Sequence, residues 1–176
     1  MYPDFMEPIN KLVLDSLHRE EDRFPAKQLS GLDAAGWEQL FAIASEHRVV
    51  PLLYDRLAAH IPGFGNCVTV ANGRTDAEVD SGNKREPENY GPAIPAISKM
   101  SEYVHKVAKN NLRSFSELQK YLTRLDQHQI PVIVLKGAWL ANKAYRGIGL
   151  REMNDIDLLF RAGDLPRAMQ IIMDLE

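Results

Sequence analysis

The sequence predicts an α+β chain, predominantly helical, with a small sheet towards its C-terminal end. Two patterns point to helix: apolar residues recur at three- and four-residue spacing in three segments before residue 62, and again over residues 96–127. One pattern points to strand: after residue 129 the period changes to two short apolar runs, each followed by a helix-length segment.

Ile9, Leu12, Val13 and Leu17 define a first helix over residues 4–19. Asp33 is placed to cap a second, with Trp37, Leu40, Phe41 and Ala44 on one face and an end near His47. Pro51 fits the first turn of a third, where its missing amide hydrogen costs nothing, and Leu52, Leu53, Leu57 and Ala58 face inward. Residues 62–95 then hold five Gly and four Pro with almost no periodic apolar residues, the composition of a flexible loop or insertion.

The long helix of residues 96–127 places Met100, Val104, Ala108, Leu112, Phe115, Leu118, Leu122 and Leu125 along one stripe. Ile130 to Leu135 follows as a strand, with Pro131 near its start where a strand tolerates one. Gly137 ends that strand, a short helix runs from Ala138 to Tyr145, and Arg146 to Gly149 makes a turn. Residues 154–161 form the second strand and Gly163-Asp164 a turn and cap. In the last helix, residues 165–175, Leu165, Ala168, Met169, Ile172 and Leu175 are expected inward. Four regions result: N-terminal helices (1–61), the loop (62–95), the long helix (96–128) and a strand–helix–strand–helix end (129–176).

Composition narrows the function classes. No apolar stretch exceeds five residues, against the roughly 20 that cross a bilayer, so no membrane span is expected. The N-terminus lacks the basic start and apolar core of a secretion signal, which points to the cytoplasm. Cys67 is the only cysteine, so neither an internal disulfide nor a thiolate zinc site can form. The five histidines show no ligand spacing within a helix and are expected to pack or lie at the surface. A net charge of -3 argues against a general nucleic-acid binder. Residues 99–129, with six Lys or Arg against three acids, keep nucleic acid open as a partner without favouring it.

The chemistry concentrates in Asp155-Ile156-Asp157. In a strand, residues two apart share a face, so both carboxylates can converge on a divalent cation while Ile156, Leu158 and Phe160 bury the other face. Two ionised carboxylates side by side repel each other unless a cation is shared between them. Upstream, a Gly at a strand-to-helix turn lets backbone amides approach an anion, and a helix N-terminus adds partial positive charge. Gly137 and Ala138 would hold phosphate through their amides, Lys136 and Arg151 could contact phosphate oxygens, and Asp155 and Asp157 could hold one or two Mg2+ ions against them. Arg151 could equally pair with either aspartate. Trp139 is expected to anchor a core or an interface, Tyr145 to pack, and Glu152 to be exposed.

Leu135-Lys136-Gly137-Ala138, Tyr145, residues 149–154 and Asp155-Ile156-Asp157-Leu158-Leu159 closely resemble a family of uncharacterised bacterial nucleotidyltransferase-like proteins within the DNA polymerase beta superfamily. Trp37 and the run from Ala44 to Leu53, with His47, Arg48, Pro51 and Leu52, resemble that family's helical N-terminal signature. The resemblance spans residue 30 to the end, the loop of residues 62–95 excepted. It implies N-terminal helices followed by a partial nucleotidyltransferase core, truncated at the C-terminus, since a third carboxylate on a later strand often completes such sites. It also implies catalytic, metal-binding roles for Asp155 and Asp157, and transfer of a nucleoside monophosphate from a nucleoside triphosphate such as ATP to an unknown acceptor. Ala138 stands where the superfamily usually has Gly or Ser. The alternatives are a non-catalytic nucleotide-binding or protein-interaction module and the antitoxin of a toxin–antitoxin pair with this fold. A two-stranded sheet also leaves an edge through which two copies could pair.

Overall fold

The computed structural model describes residues 8–18, 24–61 and 91–175. They fall into two compact units, Met1–Lys106 and Val107–Glu176, with the division inside the long helix. Among the described residues no helix is long and apolar enough to cross a membrane.

The first unit contains α1 (Pro8–Leu17), α2 (Ala26–Ser30), α3 (Ala34–Glu46), α4 (Val50–His60), a 3-10 turn at Gly91–Ala93 and the start of α5 (Ile94–Gln127). Trp37, Leu40, Leu53, Tyr54, Leu57 and Met100 are buried at its centre. Asp33 caps α3 as expected, its carboxylate accepting the Gly36 amide at 2.8 Å. At the other end of α3 the Val49 amide donates to Ala44 O at 2.8 Å and the Arg48 amide to Ser45 O at 3.1 Å. This is a Schellman turn, and the left-handed position that Gly normally fills is taken by Arg48, at φ 56°. His47 is therefore a helix-end residue, the C-cap of α3. Arg56 of α4 reaches back to the end of α1, donating from Nη2 to the His18 carbonyl at 2.7 Å, which satisfies an orphan acceptor beyond the helix end.

Several sequence expectations need correction here. Among the described residues before residue 62 there are four α-helices, one more than expected, because α2 carries a single buried apolar residue, Leu29, and so displays no period. In α4, Ala58 packs against the core as expected while Leu52 is only half-buried, and Val50 and Tyr54 are buried in addition to Leu53 and Leu57. Residues 4–7 and 19 of the expected first helix, and 62–90 of the expected loop, lie outside the described residues. At its far end the loop is shorter than expected: α5 starts at Ile94, with Pro95 in the first turn.

The second unit is built on the rest of α5, followed by β1 (Val132–Val134), α6 (Lys136–Lys143), β2 (Leu158–Phe160) and α7 (Leu165–Met173). A second Schellman turn ends α5, with Gln129 left-handed at φ 57° and the Ile130 amide donating to Leu125 O at 2.9 Å. Leu125 and Ile130, the pair that this turn brings together, are both buried in one apolar cluster. The chain enters β1 from there. β1 and β2 pair antiparallel, with Val132 opposite Phe160, Ile133 opposite Leu159 and Val134 opposite Leu158. Val134, Leu158 and Ile156 pack on Leu118, Ala138, Ala141 and Met153, whereas Val132 and Phe160 pack on Leu125, Ile130, Ala168 and Ile171. Ile133 and Leu159 lie on the opposite, solvent-facing side.

Both strands are shorter than the runs expected, and residues 154–157 precede the ladder rather than belonging to it. α7 also presents a different face. Ala168 and Ile171 are buried and Ile172 is partly so, while Leu165, Met169 and Leu175 are exposed. In α5 the stripe passes through Asn111, 1% exposed, instead of Leu112, 58% exposed. Position 111 lies four residues from both Val107 and Phe115, so it continues the inward row.

The three turn and cap residues give direct stability tests. Replacing Gln129 or Arg48 by Gly removes the left-handed Cβ clash and should raise unfolding free energy by about 1 kcal/mol each. Asp33→Ala should lower it by about 1 kcal/mol through the orphaned Gly36 amide. Urea denaturation of the three variants beside the parent chain checks both signs.

Candidate functional site

The site is assembled where β1 becomes α6. The Leu135 amide donates to the Asp157 carbonyl at 2.9 Å, one residue beyond the last paired position of the sheet. That bond holds the backbone of Asp157 against the residue preceding α6. Leu135 itself is extended (φ -101°, ψ 168°) and is the N-cap of the helix. Lys136, the first helical residue, has φ 37°. The sharp reversal from strand to helix therefore falls on Lys136, and Gly137, which was expected to supply it, lies one residue inside α6. A left-handed backbone at a residue with a Cβ carries strain, and such strain persists where the surroundings impose it.

The reversal brings the Lys136 ammonium to 3.4 Å from Asp157 Oδ2, with the lysine side chain 77% exposed and the carboxylate 37% exposed. Among the described residues this is the ion pair of the Asp-x-Asp segment; Arg151 does not take that place. Arg151 instead sets its guanidinium carbon 5.9 Å from the centre of the Tyr145 ring. Asp155 is exposed, and Ile156 between the two aspartates packs inward. The two-residue alternation thus holds through the aspartates, even though they precede the ladder: Ile156 and Leu158 face the core, while the Asp155, Asp157 and Leu159 row faces away.

Around this corner the first amides of α6 have no intrahelical acceptors, as at any helix start. Ala138 is 2% exposed, its side chain packed with Leu118, Ala141 and Met153, so what it can offer a ligand is its backbone amide. A Cβ built on Gly137 would meet only Met153 Cγ, at 3.9 Å, an ordinary contact. Folding therefore does not require glycine there, and the space beside it is open. Trp139 is 53% exposed, which removes it from the core, and Glu152 is half-buried instead of exposed. Tyr145 is half-buried, in line with packing.

Residues 144–157 join α6 to β2 without regular structure and carry Arg151, Asp155 and Asp157. Met153, 9% exposed, pins this segment from below. Asn111 pins it from α5, donating from Nδ2 to the carbonyls of Ile148 (2.5 Å) and Arg151 (2.6 Å). Asn111 carried no signal as a site residue. The clue available in the sequence was a polar residue in register with an apolar stripe, which the equally spaced Leu112 concealed.

Among the described residues no three of His, Cys, Asp and Glu cluster as a metal set, so the acidic grouping here is the aspartate pair. A pair of carboxylates, a lysine and a helix N-terminus can together hold a polyanion and a hard cation. The fold that carries them is predominantly helical α+β, with a two-stranded antiparallel sheet. The chain belongs to a family described as uncharacterised nucleotidyltransferases, whose model matches residues 33–176, from the cap of α3 onward. No curated protein and no solved structure matches it. Family membership supports nucleotidyl transfer as the general kind of reaction.

If the Lys136 backbone is held left-handed by its surroundings, Lys136→Gly should raise stability by about 1 kcal/mol while deleting the ammonium. The exposed ion pair should matter little to folding, so Asp157→Asn should shift unfolding free energy by less than about 1 kcal/mol. Both values follow from guanidinium titrations monitored by circular dichroism.

Proposed function

We propose that the chain is a magnesium-dependent nucleotidyltransferase, which moves a nucleoside monophosphate from a nucleoside triphosphate to an acceptor and releases pyrophosphate. The observation that carries this reading is the corner itself: Asp157 is tied by its carbonyl to Leu135, and its carboxylate lies 3.4 Å from the lysine that opens α6.

The residues present suit magnesium. This ion keeps several waters and takes one or two carboxylates plus phosphate oxygens, and Asp155 and Asp157 are solvent-accessible carboxylates two residues apart on the outward row. When bound, the ion would neutralise polyphosphate charge and orient the reacting phosphate. The other groups act through binding. Lys136 exchanges its carboxylate partner for a phosphate oxygen, which its exposure and flexible stem permit. The amides of Gly137 and Ala138 donate to phosphate oxygens at the helix start. Arg151, on the same irregular segment as the aspartates, supplies a second cation.

Titration calorimetry of the chain with ATP, GTP, CTP and UTP in magnesium tests the reading, and binding of at least one is expected. Asp155→Ala and Asp157→Ala should each reduce transfer of label from an α-phosphate-labelled triphosphate to background while the chain remains folded. Turnover unaffected by both substitutions would overturn the assignment of the aspartates.

Gly137→Ala separates ligand approach from folding. The new Cβ has room, and alanine is the better helix former, so stability should rise by about 0.5–1 kcal/mol. Affinity for MgATP should fall, because the methyl group would occupy the space through which phosphate reaches the amides. Calorimetry and denaturation of the one variant read both effects.

A further inference from the structure

Asn111 is 1% exposed, and its two amide hydrogens are both committed to carbonyls of the segment that bears Arg151. Because both partners are carbonyl oxygens, the NH2 group must face them, and the orientation of the amide is settled by chemistry. One acceptor lies inside and the other just after a turn in which the Leu150 amide returns to Gly147 O at 3.0 Å. The backbone that carries the Arg151 side chain is thereby held at its own carbonyl and three residues before it.

Two buried atoms are left over. Asn111 Oδ1 and Arg151 Nε are both buried without a hydrogen-bond partner. A buried polar atom without a partner costs stability, and a core designed for stability alone would fill position 111 with an apolar residue, as it does at Leu118 and Leu125. Arg151 Nε is closed off, but the side chain as a whole is half-buried, its guanidinium carbon 5.9 Å from the centre of the Tyr145 ring, and its terminal NH2 groups are left to meet an oxygen. An anionic oxygen would form the strongest bond there.

We propose that Asn111 is a positioning residue: by clamping the carbonyls of Ile148 and Arg151 it fixes the turn from which the Arg151 guanidinium donates to a phosphate oxygen of a bound polyphosphate. The clamp stands on the geometry alone, whereas the identity of the ligand rests on the nucleotidyl-transfer reading.

The test uses the full chain with Asn111→Ala, Asn111→Ser, Arg151→Ala and the Asn111→Ala/Arg151→Ala double variant. Hydrogen exchange by mass spectrometry reads the turn, and calorimetry with MgATP reads the ligand. Asn111→Ala should accelerate exchange of amides in residues 147–153 by about tenfold or more, with β1 and β2 unchanged, and weaken MgATP binding by about tenfold. Asn111→Ser, which keeps one donor, should fall between; it carries the same comparisons if the alanine variant does not fold. In the Arg151→Ala background the Asn111 substitution should cost no further affinity. Unchanged exchange at residues 147–153, or faster exchange spread evenly over the unit, would overturn the clamp. An affinity loss of equal size with and without Arg151 would overturn its action through the guanidinium. Should the parent chain bind no MgATP, the nucleotide reading and the phosphate role fall together, and the exchange comparison still decides the clamp.

Discussion

One backbone hydrogen bond, from the Leu135 amide to the Asp157 carbonyl, ties the start of α6 to the segment that carries the two aspartates. On one side of it β1 ends and α6 starts, through a lysine forced to φ 37°. On the other side the segment carrying the two aspartates enters β2. Each partner is in turn held by apolar packing, because Val134, Ile156 and Leu158 share a cluster with Leu118, Ala138 and Met153. The polar corner is thus the rim of a small core, and its position comes from the packing of apolar side chains.

The strained residue and the incompletely satisfied amide sit on the two sides of that corner. Lys136 adopts a backbone that glycine would adopt more readily, while the glycine next to it occupies a place where alanine would fit. Such an exchange of places makes poor sense for stability and good sense for a site that needs an ammonium at the turn and an open approach beside it. Asn111 follows the same logic, spending a core position on two hydrogen bonds to a loop. Elsewhere the cap at Asp33 follows the local rule, whereas the two Schellman turns share the left-handed non-glycine backbone, at Arg48 and Gln129.

Much of the fold was legible because it is written in period and punctuation. Asp33, Pro51 and the stripe of α5 located the helices, and the β-branched run at Val132-Ile133-Val134 located β1. Less was legible wherever two registers fit equally well. Leu112 and Asn111 are neighbours on the helix, and only the packing against the 147–151 turn shows which one faces inward. In α7, apolar residues lie on more than one face, so the sequence alone could not reveal that Ala168 and Ile171 would be the pair that packs. Of the candidate site, neither Asn111 nor the pairing of Lys136 with Asp157 was legible. Lys136, not Arg151, meets Asp157, since a left-handed lysine has no signature in composition or spacing.

The central claim is that Asp155 and Asp157 hold a divalent cation together with a nucleotide at the start of α6. Electron paramagnetic resonance of Mn2+ titrated into the chain with a non-hydrolysable ATP analogue tests it most directly. The account predicts a protein-bound manganese signal that requires the nucleotide and disappears in the Asp155→Asn/Asp157→Asn chain, with circular dichroism unchanged. Equal manganese binding by the parent and the doubly substituted chain would contradict it.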